Sequence, residues 1–210
     1  MQNPFRIYKI QIAETLKLAY PIILGQLGII LMGVADTLMV GPLGSEVLAS
    51  ANQANNLFFM VSGLTFGVLF SISTLVSIKV GQKRGADGFI TYRAGLVVAL
   101  ILFVFQYLVL QVFVHNFHWL GQDAAVTRMA PGLLNILSWS ILPLLINVVT
   151  RQFTDGLGHT KIAMLITLGG LGLNVLLCWM FIYGHWGFDP MGLEGAGYAT
   201  FWARMVMALV

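Results

Sequence analysis

Long stretches of this chain carry no charge at all. Between Glu46 and Lys79 there are 32 such residues, between Arg93 and Asp123 29, between Arg128 and Arg151 22, and between Lys161 and Asp189 27. A helix rises ~1.5 Å per residue and needs about 20 residues to cross ~30 Å of hydrocarbon. Each run is therefore long enough to span a bilayer. A fifth run, Leu18 to Val40, is interrupted by Asp36 alone, and a sixth opens at Gly195. The pattern predicts an all-α polytopic membrane protein, a six-helix bundle with spans near 15–40, 48–78, 94–120, 129–150, 162–186 and 195–210. From Gly195 to Val210 there are 16 residues, about 24 Å of helix, so residues 1–210 read as a single lobe that stops within its sixth helix. The first span is not a secretory leader: Met1 to Lys17 is too long and polar, and no small-residue cleavage site follows.

Composition narrows the function classes. Of 210 residues, 58% are hydrophobic and 9% charged, with a mean hydropathy of +0.86, whereas soluble domains carry roughly 25% charged residues. A water-soluble globule is excluded. One cysteine, Cys178, and four histidines give neither a disulfide framework nor a zinc-type cluster. No nucleophile elbow, HExxH or phosphate loop is present, so the sequence offers no enzyme chemistry and no nucleotide-driven step.

The net charge of +3 is a matter of placement rather than of nucleic-acid binding. With six antiparallel crossings, one side receives Arg6, Lys9, Lys17, Lys79, Lys83, Arg84, Arg93, Arg151 and Lys161, and the other only Arg128. That asymmetry puts the N-terminus in the cytoplasm. Trp119, Trp186, His118 and His185 fall where interfacial anchors are expected.

Inside the spans a few polar residues stand out. Asp36 is the carboxylate within the first span; at least ~2.5 kcal/mol disfavours it in lipid, so it should face protein or a watery cavity. It shares a helical face with Gly25, Ile29, Met32 and Gly33. It reads either as a solvated acid near the helix end or as a proton or cation site. Pro21 removes a helix hydrogen bond and predicts a kink. In the fifth span Thr167, Gly170, Asn174 and Cys178 form one polar stripe, either interhelical glue or part of a site. Counted at ~1.5 Å per residue, Asn174 and Asp36 reach similar depths in the outer half, and Thr200 descends to the same level. On the second span, after a cap expected at Ser45, Asn52, Asn55, Phe59 and Phe66 share a face with Phe70. They suit either plain packing or the wall of a cavity for flat cationic compounds. Arg204 could snorkel, pair with an acid or face a cavity.

These features resemble the multidrug and toxic compound extrusion (MATE) family, in particular its NorM-like branch. The resemblance is carried by Tyr20-Pro21, Asp36-Thr37 and Gly41, by Leu43-Gly44 with Leu48-Ala49, and by Gly81-Gln82 and Gly85-Ala86. It continues in Arg151-Gln152, Gly156 to Lys161, Gly192, and Gly195 to Thr200. It implies the N-terminal lobe of a twelve-helix antiporter in the bacterial inner (plasma) membrane, the C-terminal six-helix lobe lying beyond Val210. Such a protein needs no cofactor and expels cationic or amphipathic drugs against H+ or Na+. On this basis Asp36, Asn174 and Thr200 are the proton or cation-coupling residues, with sodium at Asp36 and Asn174, and Pro21 is the hinge. Asn52, Asn55, Phe59, Phe66, Cys178 and Arg204 line the cavity. Some relatives carry an acid where this chain has Cys178, which argues against a complete sodium cage here. A lipid-linked oligosaccharide flippase of related architecture and a non-transporting structural subunit are the alternatives.

Overall fold

The computed structural model describes the backbone of residues 4–83 and 85–210, and the side chains of Ile12, Thr15 to Lys83 and Asp87 to Val210. Arg84 and the side chains of Arg6 and Lys9, which enter the positive-charge count, lie outside the described residues. Among the described residues seven α-helices follow one another: α1 (Pro4–Val40), α2 (Ser45–Gly81), α3 (Gly85–His115), α4 (Ala124–Trp139), α5 (Ile141–Gly156), α6 (Thr160–Tyr183) and α7 (Gly192–Leu209).

The breaks between them have local causes. After α1, Pro42 sits in a 3-10 turn, Gly41–Leu43, and Gly44 adopts φ 117°, which a side chain would resist. Gly44, not Ser45, is the N-cap of α2, and Ser45 is already helical. The third span ends earlier than 120: α3 stops at His115, and Trp119 and Leu120 belong to a second 3-10 turn closed by left-handed Gly121. The sixth helix ends at Tyr183 rather than 186, where left-handed Gly184 directs two amide donors, its own and that of His185, to the carbonyl of Met180.

The largest departure concerns the run 129–150. It is not one straight span but two helices, α4 and α5, meeting at Ser140 with a 45° bend. Pro143, in the first turn of α5, has no N–H to offer the carbonyl of Trp139. The hydroxyls of Ser138 and Ser140 bond back to the carbonyls of Leu134 and Leu137, both at 2.7 Å. α5 then continues through Arg151 to Gly156, well beyond residue 150.

By length and composition, four helices are able to cross a membrane among the described residues, or five with the bent α4–α5 pair taken as one span. α7, with 18 residues including Glu194 and Arg204, is not among them. Large apolar side chains such as Leu27, Ile30, Val34, Leu38, Leu64 and Ile101 are exposed, far more than a water-facing surface would carry. The chain is an integral membrane protein.

The helices form two groups. α2 packs on α3, α4 and α5, and between them Phe58, Leu69, Leu110, Leu134, Ile141, Leu145 and Val149 are completely buried. α1 lies along α6, which also packs along α7, and α7 joins this group to α4 and α5. α1 touches α2 only sparsely although they are consecutive. The wall that α1 and α2 fail to close becomes the site.

Candidate functional site: a cavity between the first and second helices

A cavity of about 360 Å³ lies between α1 and α2 and is floored by α5 and α7. Its α2 wall grades from Asn52, Asn55 and Asn56 through Phe59 to Phe66 and Phe70. These positions share one face because helical residues three, four and seven apart line up. The last two rings stack with centroids 6.2 Å apart and an interplanar angle of 8°. α1 contributes Gln26, Ile29, Met32, Gly33, Asp36 and Thr37.

Asp36 is the carboxylate of this cavity. Its Oδ2 accepts a hydrogen bond from Thr200 Oγ1 of α7 at 3.4 Å, and its Oδ1 one from the Cys178 thiol of α6, also at 3.4 Å. Thr200 shares its hydroxyl with the carbonyl of Ala196 one turn earlier, at 3.0 Å. Asn174 faces the same carboxylate from α6. It is completely buried, yet neither Oδ1 nor Nδ2 reaches hydrogen-bond geometry with any partner. An unsatisfied buried amide costs about 1–3 kcal/mol, so this position is one where a small ligand, a water or an ion, would be stabilised. Asp36, Thr200 and Asn174 Oδ1 are oxygen donors of the kind a hard cation takes, while Cys178 offers sulfur. The structure thus brings Asp36, Asn174 and Thr200 together from three helices.

Asn52, Asn55, Phe59, Phe66 and Arg204 face the cavity. Cys178 does not: it is fully buried behind Asp36, and its thiol points at the carboxylate rather than into the open space. Of the two glycines that share the face of Asp36, Gly25 marks a close helix contact and Gly33 does not. A Cβ there would stand 2.9 Å from Arg151 Nη2, whereas one on Gly33 would meet nothing within 4 Å, because Gly33 opens on the cavity. α1 continues as helix through buried Pro21. Arg204 neither snorkels nor makes a direct ion pair. Its Nη1 donates to Ser140 Oγ at 2.5 Å, and its guanidinium carbon lies 4.8 Å from the centroid of the Phe58 ring.

Arg151 and Asn147 are among the contributors that the sequence reading does not mark as cavity residues. Arg151, counted with a cytoplasmic loop, is 9% exposed, lines the cavity and pairs through Nε with Asp155 at 3.8 Å. Asn147, one turn before it, also lines the cavity and donates to the Met207 carbonyl of α7 at 2.9 Å. The signal is the i, i+4 spacing of Asn147 and Arg151 beside Leu144 and Val148 on one face of α5, which an apolar run that ends at its first charge hides.

Residues 21–180 match the MatE family model. A probable multidrug resistance protein NorM of Mesorhizobium japonicum is 32% identical over 199 residues, covering 94% of this chain and 43% of that protein. One from Bacillus licheniformis is 33% identical over 204 residues, covering 93% and 44%. A solved outward-facing multidrug resistance MATE family transporter of the MOP superfamily shares the fold at a TM-score of 0.84 and 25% identity, over 93% of this chain and 43% of that one. A MATE structure in its straight conformation gives 0.83 and 26%, with the same coverage. The chain spans less than half the length of these relatives.

Proposed function

Because this chain belongs to the MatE family, we propose that it forms the first six-helix lobe of a twelve-helix secondary multidrug antiporter. That antiporter exports cationic or amphipathic compounds in exchange for H+ or Na+, from a plasma membrane in which the N-terminus is cytoplasmic. One observation carries the reading: a single carboxylate, Asp36, sits in the wall of an aromatic-sided cavity and is held by groups of two other helices, Thr200 and Cys178.

The mechanism follows from the bonds at that carboxylate. While Asp36 is charged, it accepts from Thr200 and Cys178 and so ties α1 to α6 and α7. A proton or a sodium ion on Asp36 removes the charge that makes these bonds strong, with Asn174 and Thr200 supplying the neighbouring oxygens. α1 has few ties to α2, so it is the wall free to respond, and Pro21 supplies the hinge. Movement of α1 reshapes the cavity that holds the drug, and ion entry is thereby linked to drug release.

The test is Asp36→Asn in the full-length protein, which keeps the size of the side chain but cannot titrate. Everted vesicles should then show no ion-driven efflux of a cationic dye, with expression and insertion unchanged. Efflux at the parent rate, with the parent dependence on pH and Na+, would overturn the assignment.

A further inference from the structure

Arg204 is held where a buried cation is costly. It is 9% exposed on α7, one turn after Thr200, and its two close partners, Ser140 and Phe58, carry no charge. A guanidinium does not lose its proton in proteins, so this charge is permanent. Among the described residues that line the cavity, the charged ones are Asp36, Arg151 and Arg204. Arg151 has Asp155 beside it. Among the described residues that line the cavity, Asp36 is thus the acid left to balance Arg204, and it acts on the guanidinium through the field, without an ion pair within 4 Å. The hydrogen bond to Ser140, at the α4–α5 bend, and the face of Phe58 keep the guanidinium from swinging out toward water.

We propose that Arg204 is a specificity-determining residue, a fixed cation that makes the affinity of the cavity for a positively charged guest depend on the charge of Asp36. The inference rests on the transporter reading above. With Asp36 ionised, its charge and that of Arg204 cancel, and the aromatic wall can hold a cationic amphipath by stacking and cation–π contact. With Asp36 neutralised, the charge of Arg204 is uncancelled and the same guest is repelled. Release is then driven by the field in the cavity as well as by its shape, and an uncharged guest of the same form does not feel the difference.

The experiment measures equilibrium binding to the purified full-length protein of tetraphenylphosphonium, a permanent monocation, and of triphenylphosphine oxide, an uncharged relative. The proteins compared are the parent, Asp36→Asn, Arg204→Met, Arg204→Lys and the double variant Asp36→Asn/Arg204→Met. A unit charge acting across a partly buried site changes affinity by about tenfold or more. Asp36→Asn should therefore weaken tetraphenylphosphonium by about that factor, and the double variant should recover most of the loss. Arg204→Lys, which keeps a positive charge but not the guanidinium fit on Ser140 and Phe58, should lie between the parent and Arg204→Met for the phosphonium, and the affinity of the phosphine oxide should not follow the charge at Asp36. A double variant that binds the phosphonium as weakly as Asp36→Asn would overturn the proposal. So would loss of both probes in Arg204→Met and Arg204→Lys together, because that marks a merely structural role. A parent protein that binds neither probe would remove the transporter reading itself, and the inference with it.

Discussion

Gly195 is a position on the α6–α7 contact where one added methyl group has nowhere to go. A Cβ there would lie 2.7 Å from both the carbonyl carbon and oxygen of Phe181 and 2.9 Å from the amide nitrogen of Ile182. These are backbone atoms of α6, unable to turn aside as a side-chain tip would. Gly195→Ala must therefore push α7 off α6 by several tenths of an ångström before the contact becomes an ordinary one. Forcing a methyl into a packed interface costs about 1–3 kcal/mol. Replacing a helical glycine returns at most about 1 kcal/mol, leaving a net destabilisation on the order of 1–2 kcal/mol. The displacement also travels to Thr200, whose 3.4 Å hydrogen bond to Asp36 is already long and has no slack. Gly33→Ala is the control, since its new methyl meets nothing within 4 Å and should leave stability unchanged or slightly raised. Thermal unfolding of the purified full-length variants should place Gly195→Ala several degrees below the parent, and efflux in vesicles should fall with it. An unfolding midpoint at or above that of the parent, together with unimpaired efflux, would refute the argument from packing.

Two further outcomes separate function from glue. Asn174→Leu removes the amide that faces the Asp36 carboxylate and should abolish ion-coupled efflux at a stability loss below about 1 kcal/mol; a larger loss would mean that the amide holds helices together. Cys178, completely buried, should resist maleimide in the resting protein while Asn55→Cys, on the cavity wall, reacts readily. Equal labelling rates at the two positions would show that the thiol is open to the cavity.

The spans were legible because lipid imposes a simple rule on the sequence: an uninterrupted apolar run must become a helix, since its backbone finds no other hydrogen-bond partners there. Asp36, Asn174 and Thr200 stood out for the same reason, each a polar group amid apolar neighbours. What the rule hides is everything that depends on how helices meet. The bend at Ser140 follows from the ring of Pro143 and from serine hydroxyls that bond back to their own helix, features that leave an apolar run looking continuous. Arg151 stays hidden because a charge ordinarily ends an apolar span, whereas Asp155 one turn later pairs with it and lets α5 carry it against the cavity. The orientation of Cys178 toward Asp36 depends on the rotation of α6 against α1, and no periodicity within one segment contains that angle. The open cavity itself is the space left by two consecutive helices that scarcely touch.

The partnership of α1 with α6 also dictates an order of assembly. The bond from Cys178 to Asp36 joins residues 142 positions apart, and that from Tyr183 to the Met39 carbonyl, at 2.7 Å, joins residues 144 apart. α1 has to wait for α2 to α5 to be made before its neighbour α6 exists. Until then it lies in the bilayer or beside the insertion machinery with the Asp36 carboxylate unsheltered, which disfavours it there by at least ~2.5 kcal/mol. α2, α3, α4 and α5, which bury their core among themselves, can settle meanwhile. Arrival of α6 and α7 then draws α1 against them, so among these helices one made early docks late, and docking closes the wall around the acid.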